Sequence, residues 1–141
     1  MAMVFQDVGC DEVLKVMFNN DRPAGGNNFT MKLFATNVTP AQTDTAGTYT
    51  EASGGGYAAK TLTNGSFTVT VGNDPSDASY AQQTFTFTGP LTTNGTIYGV
   101  YIVDADGVLI CSEAFSPYTP TLNGDAYKPT LVIQASSGTP A

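Results

Sequence analysis

The sequence contains no histidine and no tryptophan, and it contains few charged residues of either sign. Without histidine the chain has no imidazole base, no Ser-His or Cys-His nucleophile and no histidine-ligated metal. Five Lys+Arg against twelve Asp+Glu leave a net charge of −7, which disfavours a surface that follows nucleic-acid phosphates. The composition therefore predicts no nucleic-acid partner and excludes the commonest kinds of catalytic centre.

Long hydrophobic runs are also missing. No apolar stretch approaches the roughly 18 residues needed to span a bilayer, and the first residues lack the basic and apolar regions of a signal peptide. We therefore expect no membrane partner and synthesis in a cytoplasm. The two cysteines, Cys10 and Cys111, are then expected to be reduced and buried rather than bridged.

One segment, at about residues 10–20, has the spacing of a helix. Cys10, Val13, Leu14 and Met17 follow the i, i+3, i+4, i+7 pattern of a single buried face. Pro23 follows soon after, and a proline disfavours helical backbone in the residue before it. The spacing predicts a short helix that packs its apolar face on the rest of the domain.

The chain after this helix has the alternation of short strands separated by turns. Asn64-Gly65 and Asn94-Gly95 are hairpin signals, residues 72–79 have the composition of a loop, and residues 96–103 are apolar enough for a central strand. Seven to nine strands in this spacing predict a mainly β fold, either an antiparallel, jelly-roll-like sandwich or a small barrel. We expect a single β-sandwich domain over residues 1–135, with a short N-terminal arm and helix, and a flexible tail at 136–141.

Two acidic loops are candidates for a cation site. Asp104 and Asp106 resemble the start of a calcium loop, but the twelfth position, where such a loop needs a glutamate, is Phe115. Asp74 and Asp77 flank a proline and could bind a cation weakly. A tight turn for the first pair and a solvated loop for the second are the favoured interpretations, so no metal is expected.

Other residues carry weaker chemical hypotheses. Glu51 and Glu113 could hydrolyse a glycoside if a cleft held them about 5 to 9 Å apart, although a turn and a strand position are favoured. Gly54-Gly55-Gly56 lacks the helix and the lysine of a phosphate loop, and neither cysteine has a cationic activator nearby. Seven tyrosines could form a sugar-stacking platform, but tyrosine is also common in strands: Tyr49, Tyr57, Tyr80, Tyr98, Tyr101, Tyr118 and Tyr127.

Since no catalytic or cofactor site emerges, the residues favour a binding or structural module that is not an enzyme. Six segments, taken in order, then resemble a group of small virion structural proteins of tailed bacteriophages. They are Asp7-Val-Gly with Glu12-Val-Leu-Lys15, Met31 to Pro40, Tyr49 to Ala52 with Gly55 to Leu62, Phe85 to Gly89, Ile97 to Val103, and Glu113 to Phe115.

The resemblance implies a role in the virion, first as a capsid decoration (cement) protein. Such a protein would bind the major capsid protein at junctions between capsomers and form a homotrimer or another homo-oligomer. A tail or fibre component, or a module that binds host glycans, is the alternative. The apolar arm at Met3, Val4 and Phe5 is a candidate partner interface, where it could add a strand to a neighbour; packing onto its own domain is the favoured alternative.

Overall fold

The structure, a computed structural model, describes residues 3–71 and 75–135. The predicted mainly β fold with one N-terminal helix is confirmed. The predicted tail at 136–141 lies outside the described residues. In the described ranges the elements are β1 (Val4–Phe5), α1 (Asp7–Asn19), β2 (Phe29–Phe34), a 3-10 helix (Ala46–Thr48), β3 (Lys60–Leu62), β4 (Thr68–Thr70), β5 (Ser76–Tyr80), β6 (Phe85–Thr86), β7 (Ile97–Val103), β8 (Leu109–Tyr118), β9 (Ala126–Tyr127) and β10 (Leu131–Ala135).

The strands form three antiparallel sheets. The largest has the order β1-β8-β7-β2-β3, the second has the order β10-β5-β4, and β6 pairs with β9. The five-stranded sheet is open, because β1 and β3 lie at its two edges. Its middle strand β7 is almost entirely buried, as the apolar run at residues 96–103 predicted.

The two faces of the five-stranded sheet carry separate apolar clusters, because successive side chains of a strand point to opposite faces. Met31, Leu33 and Ile102 belong to the larger cluster, which includes Phe85 of β6 and Leu131 of β10. The smaller cluster, on the opposite face, contains Phe34, Tyr49, Tyr101, Val103 and Leu109. The larger cluster therefore joins the five-stranded sheet to the two smaller sheets.

The prediction for residues 72–79 was wrong where the chain is described. Residues 76–79 belong to β5, which pairs with β10 on one side and β4 on the other. Its sequence, Ser-Asp-Ala-Ser-Tyr, has little apolar alternation. Pairing with strands on both sides, rather than local pattern, makes this segment extended.

The helix forms, but its orientation differs from the prediction. It begins at Asp7 and not at Cys10, and the predicted buried face lies toward solvent. Cys10 is exposed, and the exposed fractions of Val13, Leu14 and Met17 are 40%, 53% and 71%. Periodicity correctly indicated that one face is apolar, but it does not indicate whether the chain's own core covers that face.

Gly9 determines which side of the helix meets the sheet. It is the buried residue of α1, and a Cβ at this position would lie 2.4 Å from the carbonyl oxygen of Ile110 in β8. Only glycine allows this approach of helix backbone to strand backbone. The row of apolar residues begins at Val13, about 40° around the helix from Gly9, and turns away from the sheet toward Phe18.

A Gly9→Ala substitution is expected to lower the free energy of unfolding by about 1–3 kcal/mol, because the added methyl group would overlap the backbone of β8 at Ile110, which cannot shift by itself. Urea denaturation measures the change. The matched control is Gly47→Ala, whose Cβ would meet only the Thr45 hydroxyl oxygen at 3.7 Å. Equal effects of the two substitutions would contradict the proposed role of Gly9.

Candidate functional site

The two glutamates of the hydrolase hypothesis lie on opposite faces of the five-stranded sheet. Glu113 is opposite Val100, which belongs to the larger core cluster. Glu51 bridges to Phe34, which belongs to the smaller cluster. Because paired residues of antiparallel strands share a face, the sheet itself separates the two carboxylates, and they do not form a catalytic pair.

The two glutamates have different surroundings. Glu51 accepts a hydrogen bond from Lys32 Nζ at 2.9 Å and one from the Tyr57 hydroxyl at 3.1 Å. Partial burial raises the pKa of Glu113 above its ordinary value. Glu51 thus serves a polar cluster at the sheet surface rather than a cleft.

The carboxylates of the first acidic loop cap backbone amides. Asp104 Oδ1 accepts hydrogen bonds from the amides of Asp106 and Val108 at 2.9 and 2.8 Å. The Asp106 carboxylate accepts from the amides of Ala24 and Gly25, both at 2.9 Å. The interpretation as a turn is confirmed, and Asp106 also attaches the segment after α1 to this turn.

The other acidic pair is divided. Asp77 lies in β5, not in a solvated loop, and accepts a hydrogen bond from Gln134 Nε2 at 2.9 Å, while Asp74 lies outside the described residues. Among residues 3–71 and 75–135, no three acidic or cysteine side chains come together as a cation site.

The tyrosines do not form an exposed platform. All seven are at least partly buried, and several rings pack against other aromatic rings of the chain. Tyr49 stacks on Tyr101 with centroids 5.3 Å apart, and Tyr127 stacks on Phe115 at 4.3 Å. The tyrosines mainly contribute to the core, so the surface that a glycan would need is not built from them.

The N-terminal arm packs on its own domain. Val4 and Phe5 pair with Ser112 and Cys111 as the edge strand β1, and Met3 is buried with its sulfur 3.7 Å from Cys111 Sγ. The arm therefore packs onto its own domain, the alternative that the sequence favours, and the partner interface at Met3, Val4 and Phe5 stays a prediction. What remains open to a partner is the outer edge of β1.

A buried hydrogen-bonded chain anchors the start of α1. Gln6, the residue that precedes the helix, donates from Nε2 to Ser112 Oγ at 2.6 Å. Ser112 Oγ lies 2.9 Å from the Tyr49 hydroxyl, which donates to Asp44 Oδ2 at 2.8 Å. Burial raises the pKa of Tyr49, so this hydroxyl stays protonated. Ser112 is fully buried and cannot meet a substrate, so this chain of hydrogen bonds has a structural role. The sequence contains no signal that predicts it.

The outward side of α1 is an exposed apolar surface. Phe18 is 76% exposed, and it continues the row of apolar residues described above. At about 100° per residue the row covers an arc of about 140°. We call this surface the α1 apolar face; its residues are Cys10, Val13, Leu14, Met17 and Phe18.

A cavity of about 410 Å³ lies beside this face, between α1 and the two larger sheets. Its lining is mostly apolar, with Glu12, Arg22 and Asp104 among its polar residues. We call it the α1 cavity. Its apolar walls are Val13, Val16 and Met17 from α1, Phe5, Phe29, Ile102 and Ile110 from the five-stranded sheet, Phe67 before β4, and Ala78 and Ile133 from the three-stranded sheet.

The cysteines differ from each other. Both are free, as expected, and Cys111 is buried, but Cys10 lies in the middle of the α1 apolar face. Partial burial, followed by the charges of Asp7 and Asp11, raises the pKa of Cys10, and burial raises the pKa of Cys111 much further. Neither thiol is activated as a nucleophile.

In the native chain, an alkylating reagent at pH 8 is expected to modify one thiol, Cys10, and both thiols only in denaturant. Because carboxylates disfavour the thiolate, Asp11→Asn should speed the reaction by about two- to threefold, the effect of one nearby exposed charge. Asp21→Asn, in the turn after the helix, is the control and should change the rate little. Mass spectrometry gives the stoichiometry, and equal reactivity of both thiols in the native chain would contradict this assignment.

Comparisons with protein-family models, with curated proteins and with solved structures found no match to this chain. In the described residues no helix is long and apolar enough to cross a membrane. Among the described surfaces of the chain, the α1 apolar face with its cavity is the strongest candidate for a functional site.

Proposed function

We propose that this chain is a non-enzymatic structural protein of a bacteriophage virion. Its first role on this proposal is that of a capsid decoration protein, which binds the major capsid protein at junctions between capsomers and stabilises the head. The α1 apolar face carries the proposal, because a contiguous exposed apolar patch marks an interaction surface. The resemblance of the sequence to small virion proteins supplies the setting.

The energetics of this face suit a repeated lattice better than a single complex. Complete burial of one Leu, Met or Phe side chain contributes roughly 1.5–3 kcal/mol, whereas association costs about 4–15 kcal/mol of lost freedom. Three or four such side chains alone give weak binding per copy. Linked copies that engage neighbouring sites bind far more tightly than one copy, and a capsid presents such repeated sites.

The edge strand β4 offers a way to link copies. It lies at one edge of the three-stranded sheet, and its residues, Thr-Val-Thr, include no charge that would block pairing with another strand. Val69 in β4 is 62% exposed, and Val71, directly after the strand, is 76% exposed. We propose that this edge contacts a second copy in a homotrimer or another homo-oligomer.

Purified protein is expected to bind empty phage heads that lack it. A Met17→Ser, Phe18→Ser double variant should bind at least about tenfold more weakly, because the burial of two apolar side chains is lost, each contributing roughly 1.5–3 kcal/mol when it is complete. Co-sedimentation with the heads measures occupancy. Leu122→Ser is the control, since Leu122 is also exposed (68%) but lies far along the chain in the turn before β9. Absence of binding by the unaltered protein, or full occupancy by the double variant, would overturn the proposal.

The unaltered protein is also expected to sediment as a homo-oligomer, and Val69→Asp should shift it to the monomer by placing like charges at a paired edge. Thr61→Asp in β3, an edge strand of the other sheet, is the matched control and should leave the sedimentation coefficient unchanged. A monomeric unaltered protein, or an oligomer that survives Val69→Asp, would exclude β4 as the contact.

A further inference from the structure

The α1 apolar face and the α1 cavity form one continuous surface. Val13 and Met17 belong to both, since each is exposed on the helix and also lines the cavity. We propose that this surface binds a basic amphipathic segment of a partner protein, which lays its apolar side on α1 and inserts one large apolar side chain into the cavity. The inference rests on the proposed function only for the identity of the partner as the capsid protein.

The size and lining of the cavity fit an inserted side chain. An apolar cavity of about 150 Å³ already admits a benzene-sized ring, and the α1 cavity is more than twice that volume, at about 410 Å³. Phe5, Ile110 and Ile133 from three different strands line it. Filling such a space recovers dispersion contacts that its walls otherwise lack, which gives a partner side chain a reason to enter.

The charges around the surface favour a basic segment. In a helix, residues 7 and 11 lie one turn apart on the same side, and this side borders the α1 apolar face next to Leu14 and Phe18. Lys15, the cation within α1, is bonded to Glu12 at 3.1 Å. Residues 7–22 hold four carboxylates, on Asp7, Asp11, Glu12 and Asp21, and two cations, on Lys15 and Arg22.

The interior of the cavity neither favours nor opposes a basic segment. Asp104 is 4% exposed, and its Oδ2 atom has no hydrogen-bond partner among the described residues. Arg22 lines the same cavity and forms no ion pair within the described chain, so the two charges offset each other there. The overall charge of −7 then steers a cationic segment toward this surface and repels an acidic one.

A second copy of this chain is a poorer occupant. In a symmetric contact both copies use the same patch, so each would bring the net negative charge of residues 7–22 against that of the other. Like charges brought together at an interface are unfavourable. The observations therefore favour a different chain, with lysines or arginines beside its apolar residues.

The test uses the full chain and a fluorescent peptide of about 15 residues, long enough for four helical turns, made of Leu and Lys in amphipathic order with one Phe on the apolar side. Controls are the same peptide with Glu for every Lys, and a scrambled peptide of identical composition. The Lys peptide is expected to bind at least tenfold more tightly than either control, as measured by fluorescence anisotropy. Equal binding of the scrambled peptide would reduce the effect to bulk charge and overturn the inference.

Two substitutions separate the cavity from the charges. Ala78→Phe fills the cavity from β5 and should weaken peptide binding at least fivefold, whereas Ala58→Phe, at an exposed position, should not. Asp11→Asn should weaken binding and reduce its dependence on salt, whereas Asp77→Asn, in β5, should not. If circular dichroism shows that the Ala78→Phe variant is unfolded, Ala78→Leu replaces it. Asp11→Asn tests the contribution of charge independently, because Asp11 is exposed.

The same variants on empty heads distinguish failure of this inference from failure of the proposed function. Weaker head binding by Ala78→Phe and Asp11→Asn supports both. Normal head binding by these two variants, while Met17→Ser, Phe18→Ser abolishes it, retains the proposed function and overturns the inference. Peptide binding with the expected variant pattern but no head binding retains the surface and overturns the decoration role. A last outcome concerns dodecylamine, a small cationic amphiphile. If dodecylamine binds and the same variants weaken its binding, while the peptide does not bind, the inference is overturned in favour of a small amphiphilic ligand.

Discussion

The buried hydrogen bonds that join Gln6, Ser112, Tyr49 and Asp44 are the constraint on which the candidate surface depends. These bonds attach the start of α1 to β8 and to the segment before β3. The attachment sets the direction of the helix relative to the sheet. Removing the Ser112 hydroxyl would take one hydrogen bond from each of Gln6 and Tyr49, at a cost of about 0.5–1.5 kcal/mol for each bond. With Gly9 held against Ile110 one turn later, the near side of the helix is determined, and the apolar side must face outward.

This anchoring at one end also accounts for the cavity. Gly9, near the start of α1, lies against β8, and Val16 and Met17, in the second half of the helix, line the cavity together with Ala78 of the three-stranded sheet. The apolar area around this space contributes little to the stability of the free chain, since it is not fully removed from water. That free energy remains to be gained when a partner covers it, which links the packing of the domain to its proposed binding.

The sequence alone predicts the elements better than their surroundings. Alternation identifies the mainly β fold, and the apolar run of β7 identifies the central strand, because these signals are local. The two Asn-Gly hairpin predictions were wrong, because β3 and β4, on either side of Asn64-Gly65, lie in different sheets, and so do β6 and β7, on either side of Asn94-Gly95. Glu51 and Glu113 could not be placed from the sequence, since a shift of one residue in strand register moves a side chain to the opposite face. Likewise the spacing of Val13, Leu14 and Met17 predicts an apolar face, but whether that face meets the chain's own core depends on Gly9 and Gln6, whose contacts are non-local.

The distribution of the few charges gives the two proposed contacts different partners. The α1 apolar face is bordered by Asp7 and Asp11, so it resists pairing with its own copy and accepts a basic chain. The β4 edge carries no charge, so nothing opposes pairing with an identical strand. On these proposals, copies associate through β4 and leave their α1 faces available, and several weak apolar contacts then act together on one repeated shell. Under the two proposals, the placement of a few carboxylates decides which surface meets a copy and which meets the partner.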